Sequence, residues 1–133
     1  MLLLDASVWV AAGISTHSAH DTASPLVRGG VSVAALDLTL YEVVNAVAKQ
    51  YRQPDQAQRI ARAILRSCGD ELARVDHALG EEVVKVVSEH GLSAYDAAYV
   101  AAARRNGWQL VSLDVRDLVS KGLAVTPDAA VYP

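Results

Sequence analysis

Short apolar runs alternate along this chain with longer stretches whose apolar residues recur every three or four positions. Leu2–Asp5 reads as a buried strand, and Ala6–Gly13 as a helix with Gly13 as its stop. Beyond His17 comes a loop and a short helix, Ala19–Arg28, which contains Pro25 and is closed by Gly29 and Gly30; Val31–Ala35 is a second strand. Apolar residues at Leu40, Val43, Val44, Val47 and Tyr51 predict a helix over Thr39–Arg52. Pro54 breaks it and opens the next, Asp55–Cys68, patterned through Ala57, Ile60, Ala61, Ile64 and Leu65. Leu72–Val75 is a brief third strand. His77–His90 and Ser93–Asn106 are helices ended by Gly91 and Gly107, the second with a largely buried, Ala-rich face. Gln109–Leu113 is a strand, Val115–Lys121 a short helix and Leu123–Val125 a last strand, with Pro127 and Pro133 marking an irregular tail.

Strands that alternate with helices predict parallel pairing through right-handed crossovers. The expected class is α/β, a single domain spanning residues 1–133 with no internal repeat or linker. Composition supports this: 52% of residues are apolar, with heavy use of Ala and Val and no Phe, and only 20% are charged, which argues against disorder. The lone cysteine, Cys68, permits no internal disulfide, which fits a reducing cytoplasm, and is expected to be a small buried residue on its helix. No membrane span is expected, and no targeting leader either, since Asp5 interrupts the apolar start and no basic residues precede it.

The chemistry lies in four segments of one design, in which a strand-like or apolar run meets a carboxylate at a helix opening. They are Leu2-Leu3-Leu4-Asp5, Leu38-Thr39-Leu40-Tyr41-Glu42, Leu92-Ser93-Ala94-Tyr95-Asp96 and Leu110-Val111-Ser112-Leu113-Asp114. Taken singly, each acid reads as a helix cap: Thr39-x-x-Glu42 and Ser93-x-x-Asp96 are capping-box patterns, and Asp5 and Asp114 fit as N-caps. Capping does not explain four acids at one edge of a parallel sheet, which is where ligands bind in such folds. Two carboxylates ~4 Å apart repel by roughly 4 kcal/mol at an effective dielectric of 20. A cation resolves that repulsion, and oxygen-only ligands select a hard ion, Mg²⁺ or Mn²⁺. His17, His20, His77 and His90 lie outside the four segments, which disfavours zinc. Ser7 and Ser112 flank the acids and are expected to bond a carboxylate or a water; Asn45, one turn past Glu42, could orient it; Asp117 is either an extra ligand or a solvated acid.

These segments resemble the PIN-domain family, and within it the VapC toxins of toxin–antitoxin modules. The resemblance rests on Leu4-Asp5-Ala6-Ser7-Val8, Leu40-Tyr41-Glu42-Val43-Val44-Asn45-Ala46, Leu92-Ser93-Ala94-Tyr95-Asp96-Ala97-Ala98-Tyr99 and Leu110-Val111-Ser112-Leu113-Asp114, in that order and covering essentially the whole chain. It implies a Rossmann-like α/β/α sandwich and Mg²⁺- or Mn²⁺-dependent endoribonuclease activity, with Asp5, Glu42, Asp96 and Asp114 as catalytic and metal-binding acids. Ser112 stands where the family often has Thr. The resemblance also implies an RNA substrate, a homodimer and a cognate VapB-like antitoxin that blocks the acidic cleft. The net charge of −3 is unlike that of a generic nucleic-acid binder. Arg59, Arg62 and Arg66 share a helix face that either holds RNA phosphates or, the favoured reading, is simply solvated. Trp9, Trp108, Tyr95 and Tyr99 are expected to pack rather than touch substrate. An RNA-maturation nuclease without an antitoxin has the same chemistry. A receiver-type Mg²⁺-binding signalling domain fits less well, since one acid follows the first strand and Glu42 falls on a helix.

Overall fold

The computed structural model describes residues 1–69 and 72–132; Pro133, assigned to the tail, lies outside them. Four short strands, β1 (Leu2–Leu4), β2 (Val33–Leu36), β3 (Leu72–Ala73) and β4 (Gln109–Val111), form one parallel sheet in the order β3-β2-β1-β4. Leu3 pairs with Ala34 on one side and Leu110 on the other, so β1 is central and its carboxyl end opens at the middle of the sheet edge.

Side-chain alternation along the strands decides which layer each residue feeds. Leu2 and Leu4 of β1, Val33 and Ala35 of β2 and Val111 of β4 belong to one core, packed against α1 (Ala6–Gly13), α2 (His20–Arg28), α3 (Asp37–Val44) and α4 (Pro54–Cys68). Leu3, Ala34, Leu36 and Leu110 point the other way, into a second core formed with α5 (His77–His90) and α6 (Ala94–Asn106). The expected three-layer α/β/α sandwich is therefore the observed one. Strands buried on both faces explain why the sequence runs apolar without alternation. The Ala run of α6 lets that helix lie close: every residue from Ala97 to Ala103 is buried. Where α1 crosses α4, Gly13 leaves no room for more, since a Cβ there would come within 2.5 Å of the Ile60 side chain. Cys68 is buried on α4, and burial pushes its thiol up to about 11, which makes it a packing residue. Among the described residues no helix is long and apolar enough to cross a membrane.

Four expectations need correction. The helix predicted over Thr39–Arg52 is α3 followed by a π-helical segment, Asn45–Gln50, and Val115–Val119 is likewise π-helical. Leu123–Val125 is no strand; it contributes one bridge, Val125 to Val111. Thr39 is not an N-cap, because α3 already starts at Asp37; its hydroxyl instead accepts from the Leu36 N–H (3.1 Å).

Candidate active site

Asp5 is the residue immediately beyond central strand β1. It caps α1 by accepting from the Val8 N–H at 3.2 Å, so the capping reading and the site reading describe one carboxylate. Ser7 Oγ donates to Asp5 Oδ1 and Ser112 Oγ to Oδ2. The two serines also tie the Asp114 loop in place: Leu113 N–H donates to Ser7 Oγ (3.1 Å) and Asp114 N–H to Ser112 Oγ (3.0 Å). Ser112 is 0% exposed, as the packing of β4 against β1 requires. Asp114 in turn accepts from the Asp117 N–H at 2.9 Å. Asp5 and Asp114, remote in sequence, are thus joined through two hydroxyls.

The other acids arrive from helix openings. Asp96 lies in the first turn of α6, whose N-cap Ser93 accepts from its N–H (3.1 Å). Carboxylate oxygens of Asp96, Asp114 and Asp117 lie within 4.8 Å of one another. Glu42, on α3, accepts the Tyr99 hydroxyl at 2.7 Å, and that hydroxyl also meets Thr39 Oγ1 at 2.9 Å. Of the acids singled out in the sequence, Asp96 and Asp114 come together with Asp117, Asp5 is tied to the Leu113–Asp114 loop through Ser7 and Ser112, and Glu42 is held by Tyr99. Asn45 is exposed beside Glu42 on the wall of a cleft, and the hydrogen-bond partner of Glu42 among the described residues is Tyr99. Arg59, Arg62 and Arg66 face solvent on α4, and none lines that cleft.

Electrostatics bind the acids into one unit. Burial pushes the Asp5 carboxyl up to about 6 despite its three hydrogen bonds, and the charge of Glu42 adds to the rise. Glu42 is raised by burial, with Tyr99 acting against it and Asp96 adding to it. Asp96 is raised by burial and by the charges of Asp114 and Asp117. Three carboxyls raised by burial and by a neighbouring acid's charge are the environment a cation relieves. The donor set is all oxygen, which fits a hard divalent ion, and Asp96, Asp114 and Asp117 have oxygens close enough together to share one.

The sequence reading assigned Tyr99 to packing, a role it does fill, but missed its hydrogen bond to Glu42. Tyr99 is 1% exposed, and a buried tyrosine hydroxyl needs a partner; its position one turn after Asp96 was the available signal. Tyr95, also expected to pack, is 61% exposed. His17, outside the acidic segments, reaches the cleft wall beside Ser7 and Glu42. Tyr99→Phe removes the hydroxyl between Thr39 and Glu42. The expected outcome is a stability loss of about 1 kcal/mol in urea unfolding and a roughly 10-fold lower turnover through a loosened Glu42. Wild-type turnover in Tyr99→Phe would mean Glu42 is positioned by something else.

A three-layer fold with acids converging beyond the central strands of a parallel sheet defines a class, and the PIN domain family model matches residues 2–120. The chain belongs to the PIN-domain family. It is 33% identical over 131 residues to Ribonuclease VapC3 of Pyrobaculum aerophilum, covering 95% of this chain and 98% of that protein. Among solved structures it resembles VapC20 of Mycobacterium tuberculosis, a toxin that cleaves the sarcin-ricin loop, with a TM-score of 0.74, 21% identity and 100% of both chains covered. It also resembles a chain of a toxin–antitoxin complex from Klebsiella pneumoniae, with a TM-score of 0.70, 20% identity and coverage of 96% and 98%.

Proposed function

We propose that this chain is a divalent-metal-dependent endoribonuclease and the toxin of a toxin–antitoxin pair. The observation that supports this is the cluster of Asp96, Asp114 and Asp117, with Asp5 tied to the same loop through the hydroxyls of Ser7 and Ser112. Likeness to Ribonuclease VapC3 along 95% of the chain supports RNA as the substrate.

The reaction is hydrolysis: water oxygen bonds to phosphorus as a phosphodiester P–O bond breaks. Asp96, Asp114, Asp117 and Asp5 would hold Mg²⁺ or Mn²⁺. When bound, such an ion supplies Lewis acidity toward the phosphate and toward water. The side chains do the positioning. Ser7 and Ser112 keep both oxygens of Asp5 in place, and Asp114 fixes the turn that carries Asp117. Tyr99 holds Glu42 by Oε1, which leaves Oε2 to accept from a water entering the cleft.

The surroundings suit the toxin role. Tyr41, Val75 and Tyr95, 76%, 65% and 61% exposed, border an apolar groove between α3 and α5–α6, which supports a second copy of the chain or an antitoxin segment as partner. The antitoxin partner is carried over from the Klebsiella pneumoniae toxin–antitoxin complex of the same fold, and its VapB-like kind from the resemblance of the acidic segments. A cytoplasmic setting goes with an RNA target and with a single free cysteine. The test is expression of the chain with sequencing of newly formed RNA ends, with and without a co-expressed neighbouring antitoxin gene. Discrete new ends that vanish with the antitoxin are expected; a pattern of ends identical to that of cells without the chain would remove the proposal.

A further inference from the structure

We propose that the π-helical segment following α3 builds a nucleobase subsite beside the acids, one that fixes which RNA base flanks the cut. This deepens the nuclease reading and rests on it. The cleft that begins at Ser7 and Glu42 continues along this segment for about 410 Å³, within the range of roughly 300–1,000 Å³ typical of small-ligand sites. Its floor is apolar, from Val10 and Ala46, and its rim carries Asn45, Gln50, Tyr51 and His17.

The helix geometry is what gathers that rim. At about 100° per residue, an unbroken α-helix would turn Gln50 and Tyr51 roughly 140° and 120° away from Asn45, on its far side. Bonding from residue i to i+5, seen in the Tyr51 N–H donating to the Ala46 carbonyl at 3.0 Å, widens the turn, and Asn45 and Gln50 line the same cleft. Such π turns cost regular bonding and recur at functional sites. The segment then ends abruptly. Arg52 takes the left-handed conformation (φ 56°), which a residue with a side chain seldom adopts, and this leaves Tyr51 half exposed at the rim.

The chemistry of the rim matches a base. Tyr51 offers an aromatic face for stacking. The Asn45 and Gln50 amides each present a donor and an acceptor for a base edge. His17 Nδ1 accepts from the Ala19 N–H at 3.0 Å, which places the ring proton on Nε2 and makes His17 a donor. None of the four carries a negative charge, unlike the neighbouring metal-binding acids. A phosphate at those acids therefore leaves its adjoining base next to a rim of uncharged side chains beyond Glu42.

The test uses the purified chain in Mn²⁺ with single-stranded RNA oligonucleotides built on a cut site found by RNA-end sequencing. The bases on either side of the cut are varied and, in turn, removed to leave abasic residues. The wild type is expected to prefer one base at one flanking position, and the abasic residue there should raise KM about 10- to 100-fold. Gln50→Ala and Tyr51→Ala should raise KM on intact RNA by a similar factor and flatten the preference. On the abasic RNA they should lose little more, and Tyr51→Phe should restore binding. Both positions are exposed, so folding is expected to survive, and thermal melts check it; should Tyr51→Ala not fold, Gln50→Ala carries the test. If the wild type cleaves while Gln50→Ala keeps its KM and base preference, the subsite is wrong and the nuclease reading stands. If the wild type cleaves no RNA, both fall together.

Discussion

Asp5→Asn is expected to lower RNA cleavage by at least ~10²-fold while making the metal-free protein more stable at neutral pH. The two effects share one cause. Asp5 is buried at 6% exposure, and its carboxyl, pushed up to about 6, resists the charge that the reaction needs. Asparagine keeps the size and can still receive the Val8 N–H and pair with Ser7 and Ser112, whose hydroxyls rotate to donate or accept. It removes only the buried charge. A catalytic acid that costs stability should reveal itself by this opposition of activity and stability. RNA cleavage by the metal-loaded variant and its Tm in EDTA at pH 7 check both halves. A Tm well below that of the wild type would make Asp5 a structural cap whose loss of activity is secondary, and full cleavage would remove it from the site.

How much of this was legible beforehand depended on how local the signal was. A carboxylate directly after a buried strand is a local pattern, so Asp5 could be read at the sheet edge. Asp114, expected to follow its strand directly, comes three residues after β4. The glycine stops Gly91 and Gly107, both with positive φ, marked helix ends correctly. The same apolar spacing that predicted Thr39–Arg52 hid the π-helical segment. Val43 and Val47 are buried as a 3.6-residue period requires, but Val44 and Tyr51, assigned to the same face, are 43% and 48% exposed. A widened turn rotates the stripe without changing the residue types that compose it. Tyr99 and Thr39 were read as packing and capping because their meeting is tertiary: 60 residues separate them, and each alone obeys an ordinary rule. Leu123–Val125 looked like a strand by composition, but its position beside short β4 allows only the single bridge to Val111. His17 reached the cleft through the loop after α1, which carries no periodicity to read.

The acids also predict how stability should change with pH and metal. The folded Asp5 holds its proton up to about 6, against 3.8 ordinarily, and Glu42 and Asp96 are raised as well. Between those values the unfolded chain has released protons that the folded chain still binds. Stability must therefore fall as pH rises from about 4 to about 6, then level off. For Asp5 alone, the difference between about 6 and 3.8 is worth about 3 kcal/mol. Asp76 acts in the opposite sense, held down to about 2 by Arg105, but its contribution disappears only as pH falls below the ordinary value of 3.8, outside this window. A divalent ion favours the charged carboxylates, so Mg²⁺ or Mn²⁺ should add about 2.7 kcal/mol at 100 times its dissociation constant, which offsets most of the Asp5 fall. In EDTA, then, Tm should decline through pH 4–6. With Mg²⁺ it should decline far less, and the gap between the two curves should open with increasing pH. RNA cleavage should vanish in EDTA and return with Mg²⁺ or Mn²⁺ over the same range, because one set of ionisations governs both. Thermal melts at four pH values with and without metal, run beside cleavage assays, measure this directly. A Tm that rises through the window in EDTA, or cleavage indifferent to chelation, would show that these carboxylates neither repel one another nor hold an ion.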